Sequence, residues 1–484
     1  MFDPGPLRAP IPQRRSGFAS AGGPGVGARQ LPLGVVARAV QTVRSALGRL
    51  AGEGPLGIAC SGGGDSLALL VIASDWARAN GRSLQVLTVD HGLRKSSADE
   101  ANHVAAMADR LGWPCTCLTW DDARPGAGLQ ARARDARHRL LARACRDLGL
   151  TELALAHTRD DQSETVWLRL AAGGSWRSAA VMSDRAPSPV WPDGRDLDLL
   201  RPCLDVTRAE LRRVLSDAGI DWVDDPSNED DRYARVRARG DLGLLSEAGF
   251  QPDRFAELGA LLRPVHAAER RAAWHCGQAA LVVHAWGGVS IDRAAWSRIV
   301  PAVRLTLLDA LVMAVSGQSE SPSRGRLVPL DAAILASTSV TGCGVQVLAG
   351  TAGTVWLIRD RGAVLGRVDH DGIDPWTDQS DVCRVFDGRF EIATSARKLE
   401  WAVLGETYDG LTSRAILDAV PGAARAGLLV AREAGQVVVL AGLGPVAGSL
   451  TAEAAHVRSL VAHRFCRRLL PQPAVRWFDE PEMA

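Results

Sequence analysis

A doubly wound parallel α/β sheet is the fold the sequence predicts for residues 56 to about 220, with helical and mixed α+β regions after it. Three observations predict it. Short apolar runs alternate with longer amphipathic ones, as strands alternate with helices across a parallel sheet. A glycine-rich turn directly follows the first apolar run. Two capping boxes, Ser97 to Glu100 and Thr207 to Glu210, mark helix starts further on.

The elements follow in order. Residues 1–30 are rich in Gly, Pro and Arg and read as a disordered leader. A helix is expected at 33–50. LGIAC (56–60) reads as a buried strand, followed by the turn and a helix over 66–79. SLQVLTVD (83–90) is the second strand, and the Ser97 box opens a helix to about Leu111. CTCLTW (115–120) is the third strand, with an Arg-rich helix over 129–148. LALAH (153–157) is the fourth, again with a helix behind it. The stretch 183–198 reads as an irregular connection. The Thr207 box opens a helix that ends near Gly219. Beyond about 245 the chain reads as helical to roughly 315, with a linker at 316–326. VQVLAG, TVWLIRD and QVVVLAG then suggest a mixed region. The expected division is a leader (1–30), a catalytic domain (31–245), a helical region (246–325) and a mixed C-terminal region (326–484).

Composition bounds the function. With 484 residues, 46% apolar and 23% charged, the chain has an ordinary globular make-up. No apolar stretch is long enough to predict a membrane span, and the first twenty residues lack the apolar core of a secretory signal, so a cytoplasmic protein is expected. Net charge is +1, but residues 1–50 hold seven Arg against one acid, Asp3. Lysine occurs only at positions 95 and 398, so phosphate contacts fall to Arg, which binds them in a bidentate way. Nine Cys include no CxxC and read as reduced thiols.

The sharpest motif is Ser61-Gly62-Gly63-Gly64-Asp65-Ser66, between a strand and a helix. Glycines let backbone N–H groups approach an anion, and the helix N-terminus adds positive potential. Ser61 and Ser66 can donate hydroxyls. Asp65 beside phosphates implies a bridging Mg²⁺. Val89-Asp90-His91-Gly92 lies at the carboxyl end of the second strand, where such sheets bind ligands. In Ala156-His157-Thr158-Arg159-Asp160-Asp161-Gln162-Ser163-Glu164, acids open a helix. They complement its dipole. A second reading has Asp160, Asp161 and Glu164 hold Mg²⁺ or bind an ammonium and take its proton. Asp225-Pro226-Ser227-Asn228 leads to Asp231, Tyr233, Arg235, Arg237 and Arg239. This is either a turn with a solvated basic helix or a clamp on RNA phosphate.

The glycine loop resembles the PP-loop of the ATP pyrophosphatase superfamily, and the stretches together, over residues 56–240, resemble the tRNA(Ile)-lysidine synthases. Ala133-Arg134-Asp135-Ala136-Arg137 is similar to that family's Ala-Arg-x-x-Arg. The resemblance implies ATP as substrate and adenylation of the wobble cytidine of a CAU-anticodon tRNA(Ile). Attack by the ε-amine of L-lysine then gives lysidine, AMP and pyrophosphate. It implies Asp65, Asp160, Asp161 and Glu164 as catalytic residues, with Asp65 on the metal. Residues 61–66 and His91 would bind ATP, and Arg134, Arg137, Asn228, Arg235 and Arg237 the tRNA. The helical region after 245 would also meet tRNA. The sequence departs from the family at Thr158 (a second His is usual), Gln130 (Glu), His138 (Tyr), Ala172 to Ser175 (Arg-Gly-Ser-Gly) and Val236 (Asn). Another PP-loop enzyme, such as a tRNA 2-thiolase or an ammonia-using ligase, and a non-catalytic nucleotide- or tRNA-binding relative are the alternatives. The absence of CxxC argues against the thiolase. Oligomeric state, a homodimer included, is left open.

Overall fold

The computed structural model describes residues 34–92, 97–120, 129–173, 182–223, 234–367, 371–377, 384–393, 399–411, 414–446 and 456–470. The chain forms two compact units. The first holds the chain up to Ser188 and Asp196–Leu262; the second holds Pro189–Arg195 and everything from Arg263 on.

In the first unit the order is α1 (Val35–Leu50), β1 (Leu56–Ala59), α2 (Gly64–Ala79), β2 (Leu84–Asp90), α3 (Ser97–Arg110), β3 (Cys115–Thr119), α4 (Leu129–Asp147), β4 (Glu152–Ala154), α5 (Arg159–Ala171), β5 (Arg185–Pro187), β6 (Asp198–Leu200), α6 (Arg208–Asp217) and α7 (Ala234–Glu247), followed by α8 (Asp253–Ala280). The sheet runs β3-β2-β1-β4-β6-β5. All neighbours are parallel except β5, which runs antiparallel to β6 at the edge. The parallel sheet expected from the sequence is therefore present.

Helical periodicity explains the packing. Val36, Ala39, Val40, Val43, Leu47 and Leu50 recur at helical spacing and are the buried stripe of α1. The helix α2 is apolar nearly all round, from Leu67 to Ala77, and lies inside one core with α1, β1 and α6. Strand order reverses direction between β1 and β4. A doubly wound sheet opens its ligand crevice at such a switch, outside the carboxyl ends of the strands. The glycine loop follows β1 and the acidic segment follows β4, so the topology brings the two motifs together.

Three expectations are corrected. The stretch 183–198 contains β5 and, at its end, the start of β6; each strand has only three residues, too few for a period to be read. The region after 245 is not wholly helical. Leu281–Val283 (β7) and Val289–Asp292 (β8) form an antiparallel hairpin, with Gly287 at φ +93° in its turn. The expected boundary at 245 falls inside α7, and the first unit runs on to Leu262.

In the second unit, β7 and β8 enter a five-stranded sheet backed by the helices Pro301–Ser316 and Arg324–Ala336. A second five-stranded sheet and a three-stranded sheet complete the mixed C-terminal region. Trp191 donates from Nε1 to the Gly388 carbonyl at 2.6 Å, and the Arg464 guanidinium lies 4.5 Å from its ring centre. No helix among the described residues is long and apolar enough to cross a membrane.

Candidate active site

The glycine loop is tied to itself. Ser66 Oγ accepts the Ser61 N–H at 3.1 Å and donates to the Gly63 carbonyl at 2.9 Å; Ser61 Oγ lies 3.2 Å from it. The Cys60 thiol reaches the same hydroxyl at 3.6 Å, and burial pushes that thiol above its ordinary range. Gly62 sits at φ +84°, a backbone state that an L side chain strains. Helix α2 begins at Gly64 with no side-chain cap. Its first N–H groups are therefore open to an anion. Beside it, Asp90 Oδ1 accepts the Gly92 N–H at 2.9 Å and the Ser97 hydroxyl, fixing the loop that carries the half-buried His91.

The acids after β4 take three distinct places. Thr158 is fully buried and caps α5. Asp161 Oδ2 accepts both the Thr158 N–H (2.8 Å) and hydroxyl (3.0 Å) in a capping box. Only Asp161 Oδ1 is left to face the crevice. Asp160 Oδ2 accepts the backbone N–H of Arg208 at 2.8 Å, at the start of α6. Glu164 is 1% exposed, and its Oε2 is buried with no hydrogen-bond partner.

Arg208, which the sequence did not single out, stands among these acids. Its Nε meets Asp65 Oδ2 at 3.1 Å, Nη2 meets Asp161 Oδ1 at 3.4 Å, and Nη1 meets Glu164 Oε1 at 3.4 Å. Arg235 reaches Asp161 Oδ1 at 3.5 Å and Arg239 reaches Glu164 Oε1 at 2.7 Å. The two are four residues apart and share a face of α7. Arg237 lies on another, exposed face. Thus Arg235, expected on tRNA, is turned to the acids, together with Arg239. Arg134 and Arg137 are exposed on α4. Asn228 lies outside the described residues, as do the side chain of Gln130 and residues 174–175.

The electrostatics follow from burial and these partners. Burial raises the Asp65 carboxyl to about 6, against the pull of Arg208. Asp65 Oδ1 is buried and unpartnered. Burial also works to raise Asp161, but the His157 ring, the Thr158 N–H, Arg208 and Arg235 outweigh it and hold this carboxyl below its ordinary range. His157 is pushed down to about 3 by burial and Arg201, so its imidazole is neutral at pH 7. His138 is pushed down to about 4 by burial and by Arg134, Arg137 and Arg201.

A hard cation fits at Asp65. The bare carboxylate oxygen beside an anion-binding helix start is the donor Mg²⁺ prefers. Among the described residues no group of three or more His, Cys, Asp or Glu could hold a metal ion. Most ligands of such a cation would therefore come from the bound phosphates and water.

The PP-loop domain family matches residues 36–244. The tRNA(Ile)-lysidine synthase of Caulobacter vibrioides is 36% identical over 437 residues, covering 87% of this chain and 96% of that protein. The tRNA(Ile)-lysidine synthase of Hyphomonas neptunium is 39% identical over 250 residues, covering 50% of this chain and 66% of that protein. Among solved structures, the U34-tRNA thiolase NcsA from Methanococcus maripaludis is 16% identical at a TM-score of 0.40, covering 48% of this chain and 79% of that one.

Proposed function

Because the chain belongs to the tRNA(Ile)-lysidine synthase family, we propose that the crevice at the β1/β4 switch is where both of its half-reactions occur. The protein is an ATP-dependent ligase that joins L-lysine to the wobble cytidine of tRNA(Ile) with a CAU anticodon, through an adenylated base, releasing AMP and pyrophosphate.

In our reading, the open N-terminus of α2 and the Ser61 and Ser66 hydroxyls hold the ATP phosphates, with His91 at the edge of the site. Asp65 Oδ1 holds Mg²⁺, which supplies charge neutralisation at the phosphates when bound. Lysine arrives as an ammonium, since its amine has an ordinary pKa of about 10.4, and it cannot attack until it loses a proton. Of the three acids after β4, Asp160 is committed to α6 and Asp161 has one oxygen in its own cap. Glu164 is the acid that binds the ammonium and accepts the proton. The observation that carries this reading is its buried, unpartnered Oε2. The neutral His157, which interacts with Asp161, adds a group able to accept a hydrogen bond. Arg134, Arg137 and Arg237, exposed on α4 and α7, contact tRNA phosphates. The cytoplasm, where these substrates are found, is the compartment that fits.

The test combines purified protein, ATP-Mg²⁺, labelled lysine and tRNA transcripts with CAU or altered anticodons. Lysine should enter the CAU transcript alone, with one AMP released per lysine. Labelling independent of the anticodon, or a need for a sulfur donor, overturns the reading.

A further inference from the structure

We propose that Arg208 is a positioning residue that divides the acidic cluster between two cations, the metal at Asp65 and the ammonium at Glu164; this rests on the acid assignments above. One guanidinium touches three carboxylates: Asp65 Oδ2 at 3.1 Å, Asp161 Oδ1 at 3.4 Å, and Glu164 Oε1 at 3.4 and 3.5 Å. The two oxygens of a carboxylate diverge. An acid that turns one oxygen to Arg208 therefore directs the other away from it. For Asp65 and Glu164 that other oxygen is buried and has no partner. The cluster thus offers two separate bare oxygens with a fixed positive charge between their carboxylates. A single divalent cation cannot bridge Asp65 and Glu164 while the guanidinium is there.

The charge is held from the main chain. Arg208 is the first residue of α6, its N–H is fixed by Asp160 Oδ2 at 2.8 Å, and the helix start is locked by the Thr207–Glu210 capping box. Its side chain is only 21% exposed. The planar fork spans acids that a single ammonium could not reach together. Without it, Asp65, Asp161 and Glu164 would set three negative charges against the two of Arg235 and Arg239, a more anionic pocket that favours a divalent metal over a monovalent amine.

The test uses the full-length chain without tRNA, with Arg208→Met and, as a second route should that variant fold poorly, Arg208→Gln. Mn²⁺ binding is read from the free-ion electron paramagnetic resonance signal, and lysine binding by titration calorimetry as Mg²⁺ is raised through the millimolar range. In the unaltered protein, lysine affinity should not depend on Mg²⁺. In the variants, Mn²⁺ should bind about tenfold more tightly and displace lysine competitively. Arg208→Lys, which keeps a positive charge but not the fork that spans the acids, should restore independence only in part. If both neutral variants bind Mn²⁺ and lysine independently, as the parent does, the inference is overturned whatever happens to turnover. Glu164→Gln with Arg208 intact separates the underlying reading. Normal lysine binding by that variant removes Glu164 as the ammonium site, whereas its loss there leaves the Arg208 comparison standing on its own.

Discussion

Two arginine–carboxylate clusters in this molecule are built to opposite ends. In the second unit, Arg304 grips Asp331 with contacts of 2.7, 2.8 and 3.0 Å, while Trp296 Nε1 donates to the same carboxylate at 2.9 Å and Arg304 also reaches the Ile299 carbonyl. Both oxygens of Asp331 are satisfied. In the first unit, Arg208 spreads over three acids at 3.1–3.5 Å and leaves buried oxygens on two of them bare. A closed pair holds a fold together. An open one keeps a free energy penalty that a ligand can relieve.

Each side of that contrast can be broken. Asp65→Ala should lower pyrophosphate release by on the order of a thousandfold while tRNA binding persists, since it removes the acid that makes phosphates and metal compatible. Normal release would remove Asp65 from the metal. Arg304→Met should lower the unfolding free energy by about 3–5 kcal/mol, because it strands a buried carboxylate. Denaturant titration checks this, and a loss below 1 kcal/mol would mean the pair is not closed. Glu164→Gln should still adenylate tRNA but transfer lysine about a hundredfold more slowly, with a raised Michaelis constant for lysine. Rapid-quench trapping of adenylated tRNA tests it; joint loss of both steps would place Glu164 with ATP instead.

Stability sharpens the comparison further. The folded protein raises Asp65 from an ordinary 3.8 to about 6. A carboxyl shifted upward contributes stability that is complete below its ordinary pKa and is lost as pH rises through about 6. Asp65→Asn should therefore stabilise the metal-free protein by about 1–3 kcal/mol near pH 7.5 and change little near pH 4. An unchanged difference across that range would contradict the burial cost. The smallest effect is expected from the exposed pair on α4: Arg134→Ala with Arg137→Ala should reduce the log–log salt slope of tRNA binding by at most about 1.8. An unaltered slope would make them solvated surface.

What could be read in advance tracks how local the signal is. The Ser61–Ser66 loop is contiguous, and its strand-before, helix-after setting is visible in LGIAC and the apolar run that follows. Arg208 was not visible as a site residue. In sequence it is only the residue after a helix cap, and its partners lie 143 and 44 positions away. The cap at Thr158 was within reach: Thr-x-x-Asp is a local pattern, yet in sequence Thr158 reads as a departure from a family histidine and Asp161 as an acid for the helix dipole, Mg²⁺ or an ammonium. Arg235 and Arg239 could be placed on one helix face, but only tertiary packing decides that this face meets the acids. Strands of three residues, such as β5 and β6, carry no period at all.

The choice of arginine at position 208 also has a chemical side. An adenylated cytidine is an electrophile, and any neutral amine held near it would attack. A guanidinium keeps its proton, and the acids around Arg208 hold it all the more firmly. The cations at the crevice, Arg208, Arg235 and Arg239, are all of this inert kind, and no lysine occurs among the described residues. Arg208, Arg235 and Arg239 thus bring positive charge to the crevice without bringing a nucleophilic amine of their own.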